Sequence, residues 1–194
     1  MTPAPVVAGM DASRGALAAY TRGEVKSAIE QFTEAVEANP EDASALNNLG
    51  QVLVRAGRPG EAVAYFDRAI SISGSIWAYH FNRARALGEL KEWSRAVAGY
   101  REAVRLFPED YATQFNLAKA LQANGDTQEA LGAFERAIAL APGQPDFHLS
   151  HGLALEAANR AGDAAAAYQR YLELEPASPQ TEKVRARIAQ LEAK

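Results

Sequence analysis

Small and apolar residues return along this chain with a period of 34. Ala28, Ala62, Ala96, Ala130 and Ala164 stand 34 residues apart, and four residues after each comes an aromatic: Phe32, Phe66, Tyr100, Phe134 and Tyr168. Three further on are Ala35, Ala69, Ala103 and Ala137, with Tyr171 breaking the series, followed by Pro40, Gly74, Pro108, Pro142 and Pro176. With Gly9, Ala43, Trp77, Tyr111 and Pro145 as first positions, positions 4, 7, 8 and 11 recur at helical spacing and make one face of a first helix. Positions 20, 24, 27 and 28 do the same for a second. Small residues at position 8 (Ala16, Gly50, Ala84, Ala118, Gly152) and at position 20 let the two backbones approach, and the aromatic at 24 fills the space between neighbouring units.

The breaks repeat as regularly as the helices. Near position 15, Gly23, Gly57 and Gly125 are suited to end the first helix in a left-handed conformation. Asn159 can do so at some cost, and Lys91 departs from the pattern. Proline at position 32 stops the second helix. Gly74 holds that place in the second unit and leaves the chain freer there.

These residues resemble the tetratricopeptide repeat, over five units at 9–42, 43–76, 77–110, 111–144 and 145–178. The resemblance implies an all-α fold, a right-handed superhelical solenoid of helix pairs, with eleven helices and no strand. No unit buries its apolar face alone, so neighbours stack. Residues 1–8, with Pro3 and Pro5, read as a loose tail. After Pro176 and Pro179, Val184, Ile188 and Leu191 lie at helical spacing among charges, so residues 179–194 read as a capping helix. Gly15, at core position 7, leaves the first unit underpacked.

Composition narrows the function without naming it. A net charge of −4 gives no electrostatic reason to expect nucleic acid or anionic lipid. The chain has no cysteine, which removes disulfides, thiolate metal sites and cysteine nucleophiles together. No apolar run is long enough to span a bilayer, and residues 1–10 lack the basic and apolar segments of a leader, so the reading is cytoplasmic. No phosphate loop, zinc-protease motif or nucleophile elbow occurs, so no enzyme and no cofactor are expected. Asp146, His148 and His151 form one polar cluster, the two histidines three apart on a helix. That spacing could share a metal, but positions 4 and 7 belong to the packed face, as does His80, so core histidines are the reading. Glu102, Glu129 and Glu156 read as surface charge.

The resemblance also implies a ligand-binding groove lined by positions 2, 5, 6, 9, 12 and 13 of each first helix. Position 6 carries Asn48, Asn82 and Asn116 in three consecutive units, similar to asparagine ladders in relatives. An amide offers both a donor and an acceptor, so such a row can grip an extended backbone of any sequence. Asn47, Phe81 and Phe115 hold position 5, and Gln51 position 9. The phenylalanines either meet apolar side chains of a ligand or pack against neighbouring first helices. Arg14, Arg55, Arg85 and Lys119 against Glu89 make this face mildly basic in an acidic protein, which favours a ligand with carboxylates. The carboxylate clamp of chaperone-binding relatives is not matched: its five places read Asn47, Gln51, Asn82, Ala112 and Asn116 from the second unit. The expectation is a non-enzymatic scaffold that holds an extended peptide or partner segment. The alternative is a self-assembling scaffold, a homo-oligomer in which a neighbouring chain fills the gap at Gly15.

Overall fold

The computed structural model describes the backbone of residues 5–193 and the side chains of residues 13–193. Among the described residues there are eleven helices and no strand. The chain divides into two compact units, one ending at Leu106 and one beginning at Phe107. The first holds α1 (Pro5–Thr21), α2 (Val25–Ala38), α3 (Ala43–Arg55), α4 (Pro59–Ile72), α5 (Trp77–Glu89) and α6 (Trp93–Leu106). The second holds α7 (Tyr111–Asn124), α8 (Thr127–Leu140), α9 (Pro145–Ala157), α10 (Ala161–Leu174) and α11 (Thr181–Glu192). Each odd-numbered helix from α1 to α9 packs against the helix that follows it, and α11 packs on α10.

The tail expected over residues 1–8 lies partly outside the described residues. Residues 5–8 are the first turn of α1, opened by Pro5. A proline suits that place because a helix leaves its first N–H groups unpaired in any case.

The helix pairs close because one residue is nearly absent where the next is large. A Cβ added at Gly50 would fall 2.6–2.9 Å from the Phe66 ring, and one at Gly152 would fall 2.5–3.0 Å from the Tyr168 ring. The position-24 aromatic therefore seats on the small position-8 residue of its own pair. Phe66, Phe134 and Phe32 are 0–1% exposed, and full burial of such a ring contributes about 1.5–3 kcal/mol. Gly15 does not leave a gap: a Cβ there would meet Gln31 Oε1 at 2.3 Å, so the Gln31 side chain already occupies the space. Its amide is held by donation to Ser27 Oγ at 2.8 Å.

All five bends from first to second helix use one device. Gly23, Gly57, Lys91, Gly125 and Asn159 have φ of 80°, 73°, 60°, 92° and 59°. The next N–H in each case reaches back five residues, as in Arg58 N–H to Leu53 O and Glu92 N–H to Leu87 O, both 2.9 Å. That pair of features is the Schellman stop, and Lys91 adopts it although it is neither glycine nor asparagine.

The second bend is stabilised differently. The carbonyls of Pro40, Gly74, Pro108, Pro142 and Pro176 each accept a hydrogen bond from a side chain. The donors are Arg68 (3.2 Å), His80 Nε2 (2.8 Å), Gln114 Nε2 (3.3 Å), His148 Nε2 (2.9 Å) and Thr181 Oγ1 (3.2 Å). A carbonyl just past a helix end has no backbone partner, so the polar residue at position 4 supplies one in three successive pairs.

Candidate functional site

The histidine cluster resolves into separate structural parts. His148 is buried and donates to the Pro142 carbonyl, as His80 does to that of Gly74. His151 lies against the Phe134 ring, centroids 6.1 Å apart, with Nε2 buried and without a hydrogen-bond partner. Burial pushes its pKa below the usual histidine value; Arg160 and His148 act in the same sense, while Glu135 and Asp163 oppose it. Among the described residues no three His, Asp or Glu side chains come together in a way that could hold a metal ion.

The amides of the first unit converge instead. Asn82 on α5 donates from Nδ2 to Asn47 Oδ1 on α3 at 2.9 Å. Asn47 Nδ2 and Gln51 Nε2 both donate to Asn48 Oδ1, each at 3.4 Å. Asn47 and Asn82 are 7% exposed, so they form an internal link between neighbouring first helices. Asn48 and Gln51 are half-buried and line an apolar cleft with Leu17, Tyr20, Phe32 and Val52. The Asn48 Nδ2 donor and the Gln51 Oε1 acceptor have no recorded partner among the described residues. Two residues that line the cleft thus carry one free donor and one free acceptor, the complement of groups that a peptide unit offers.

The row of three asparagines is thus not three equivalent grips. Asn82 is turned inward to Asn47, and Asn116, half-buried in the second unit, donates to the Ala112 carbonyl of its own helix at 2.7 Å. The position-5 phenylalanines are also occupied. Phe81 sits edge-on to Trp77 and Tyr100, at 6.0 and 5.7 Å between centroids. Phe115 stacks on Phe147 at 4.4 Å and meets Phe134 edge-on at 5.8 Å. Of the expected cations, Arg55 lies over the Tyr20 ring at 4.9 Å and Lys119 over Phe115 at 5.5 Å, both otherwise exposed. Arg85 is half-buried, and its Nε has no hydrogen-bond partner among the described residues. Burial holds the Tyr100 hydroxyl well above its usual pKa, opposed by Arg85, so it stays neutral.

Leu17, 52% exposed, and Tyr20 stand at positions 9 and 12 of the first repeat, both among the expected groove positions. Among the described residues, no helix is long and apolar enough to cross a membrane.

Comparison with known proteins agrees with the fold. Over 73 residues, 38% of this chain, it is 37% identical to tetratricopeptide repeat protein 21B of Xenopus laevis, and the match spans 6% of that protein's length. MamA (residues 41 to the end) from Desulfovibrio magneticus RS-1 superposes with a TM-score of 0.83 at 19% identity, over 88% of this chain and 97% of that one. YrrB, a tetratricopeptide repeat protein with an unusual peptide-binding site, gives 0.79 at 19% identity over 90% of each chain. The Pseudomonas aeruginosa protein pilF gives 0.81 at 20% identity, over 98% of this chain and 87% of that one. At such identities the likeness is one of fold. The tetratricopeptide repeat model itself matches residues 14–76, 81–145 and 115–180, most of the sequence, and the chain belongs to the tetratricopeptide repeat family.

Proposed function

We propose that this protein is a non-enzymatic scaffold, built from five repeats at 9–42, 43–76, 77–110, 111–144 and 145–178 and a cap, that holds an extended partner segment on its first helices. The observation that carries the reading is the Asn82–Asn47–Asn48–Gln51 chain of amides. It engages the Asn48 oxygen and leaves one donor and one acceptor uncommitted, among the described residues, on two residues that line the apolar cleft with Leu17 and Tyr20. The amides take a backbone irrespective of sequence, and the cleft takes an apolar side chain. Arg55, held over Tyr20, adds positive charge at the rim.

A partner captured on the wild-type protein would be titrated against Asn48→Ala with Gln51→Ala. Each lost pairing should weaken binding by about 0.5–1.5 kcal/mol, so the double change by roughly 5- to 150-fold. Asn116→Ala, whose amide already has a partner on its own helix, should change affinity less. Unchanged affinity in the double variant, with an unchanged melting curve, would remove the groove reading. Self-assembly is the second reading, and Gln31 against Gly15 takes away the packing defect that favoured it.

A further inference from the structure

The second compact unit carries a cleft whose floor, Leu149 and Leu153, holds groove positions 5 and 9 of its repeat. It lies where α11 meets the last helix pair and is lined by Leu149, Leu153, Tyr168, Lys183, Val184 and Arg187. The cleft is open to solvent and offers about 380 Å³, at the lower end of the roughly 300–1,000 Å³ common for ligand clefts. Leu149 and Leu153 stand one turn apart on α9, and Leu153 is 54% exposed, so the floor is apolar and open to water.

The charges around it are unequally committed. Glu156 accepts from the Tyr168 hydroxyl at 2.6 Å and from Arg187 Nε at 2.7 Å, so its carboxylate and the guanidinium neutralise each other. On the same helix Glu182 pairs with Arg185 at 2.9 Å. Lys183 is exposed and has no acidic partner among the described residues. An uncompensated ammonium therefore borders the exposed Leu153 and the half-buried Leu149.

We propose that this cleft docks a partner segment in which a bulky apolar residue is followed directly by an acidic one. The apolar side chain lies on Leu149, Leu153 and Val184, and the carboxylate meets Lys183. An internal acidic side chain fits better than a chain terminus, because a terminal carboxylate needs several converging donors and only one uncommitted cation borders the cleft. The inference rests on the scaffold reading above and adds a specificity that the amides of the first unit cannot provide.

The test uses the full chain and four arrays of synthetic twelve-residue peptides, otherwise randomised, with a fixed Leu–Glu, Leu–Gln, Ser–Glu or Leu–Lys pair. Wild-type protein should be retained on Leu–Glu about two- to fivefold above the other three at low salt, with the margin shrinking as salt rises. Lys183→Glu should move the preference to Leu–Lys, a gain that an unfolded variant cannot show. Leu153→Ser should lower retention on every array with a fixed leucine. Equal retention on Leu–Glu and Leu–Lys, a preference unaltered by Lys183→Glu, or no retention on any array overturns the proposal. So does a change of oligomeric state in Leu153→Ser measured by light scattering, which would make the occupant a second copy of this chain. Asn48→Ala with Gln51→Ala separates the two ideas: it should lower retention on all arrays alike and leave the Leu–Glu preference in place. If it leaves retention untouched while Lys183→Glu inverts the preference, the groove reading falls and the cleft stands.

Discussion

At position 15 of every unit the backbone must turn left-handed, and the five residues that do so differ in what the turn costs. Glycine has no Cβ to clash with its own carbonyl there, whereas another L-residue is destabilised by roughly 1–2 kcal/mol. Lys91, at φ 60°, bears that cost with an exposed side chain. Lys91→Gly should therefore raise stability, less roughly 0.5–1 kcal/mol for the freedom glycine adds to the unfolded chain. A net gain of about 0.5–1 kcal/mol corresponds to roughly 1–4 °C in a chain of this size. Lys91→Ala, which keeps a Cβ, should gain nothing, and a thermal melt that cannot tell the two variants apart would mean the strain is absent. This turn was legible in the sequence because the period marks the place where the helix must stop. The fate of single amides was not. A 34-residue period assigns Asn82 to the groove side, but it does not record that Asn47 reaches across from α3 to cover it.

Helix pairs are held at a distance set by what stands at position 8, and a glycine there differs in effect from one elsewhere in a helix. Gly50 has the Phe66 ring where its Cβ would be, at 2.6–2.9 Å, whereas a Cβ at Gly132 in the middle of α8 would meet nothing within 4 Å. One substitution should then have two signs. Gly50→Ala must push a buried ring or separate two backbones, and should cost about 1–3 kcal/mol. Gly132→Ala improves helix propensity in open space and should gain about 0.5–1 kcal/mol. Denaturant titration of both variants checks this, and the same sign at both sites would contradict the packing of α3 on α4. The helix pairs were readable because small, apolar and aromatic residues keep their register over 170 residues, 9–178. Their polar fastening was less so. His80, Gln114 and His148 occupy a core position in the pattern, and only the geometry shows them serving the carbonyls of Gly74, Pro108 and Pro142. A polar residue recurring at one core position in three successive units was the available signal, hidden by reading the histidines alone.

At the scale of the whole chain, a repeat array passes stability only between neighbours, and α11 packs on α10. Val184, Ile188 and Leu191 are 6–9% exposed, so α11 contributes apolar cover for α10 as well as one wall of the cleft. Ile188→Ala together with Leu191→Ala keeps the chain entire, charge for charge, while thinning that cover. Each truncation costs roughly 2–5 kcal/mol in a fully enclosed core, and the lower end applies at an edge. If α11 is a local cap, the loss should appear as faster hydrogen exchange in α9, α10 and α11, while α1 to α6 keep their wild-type protection. The bared face of α10 should also favour association between molecules, seen as light scattering that rises with concentration. Acceleration spread evenly over all eleven helices would instead mark one cooperative unit. The division at Leu106 and Phe107 would then carry no independent stability. Three apolar residues at helical spacing made the helix α11 legible in the sequence. The leucines of the cleft stood at groove positions, but their meeting with Lys183 and Arg187 of α11, thirty or more residues along the chain, was not legible.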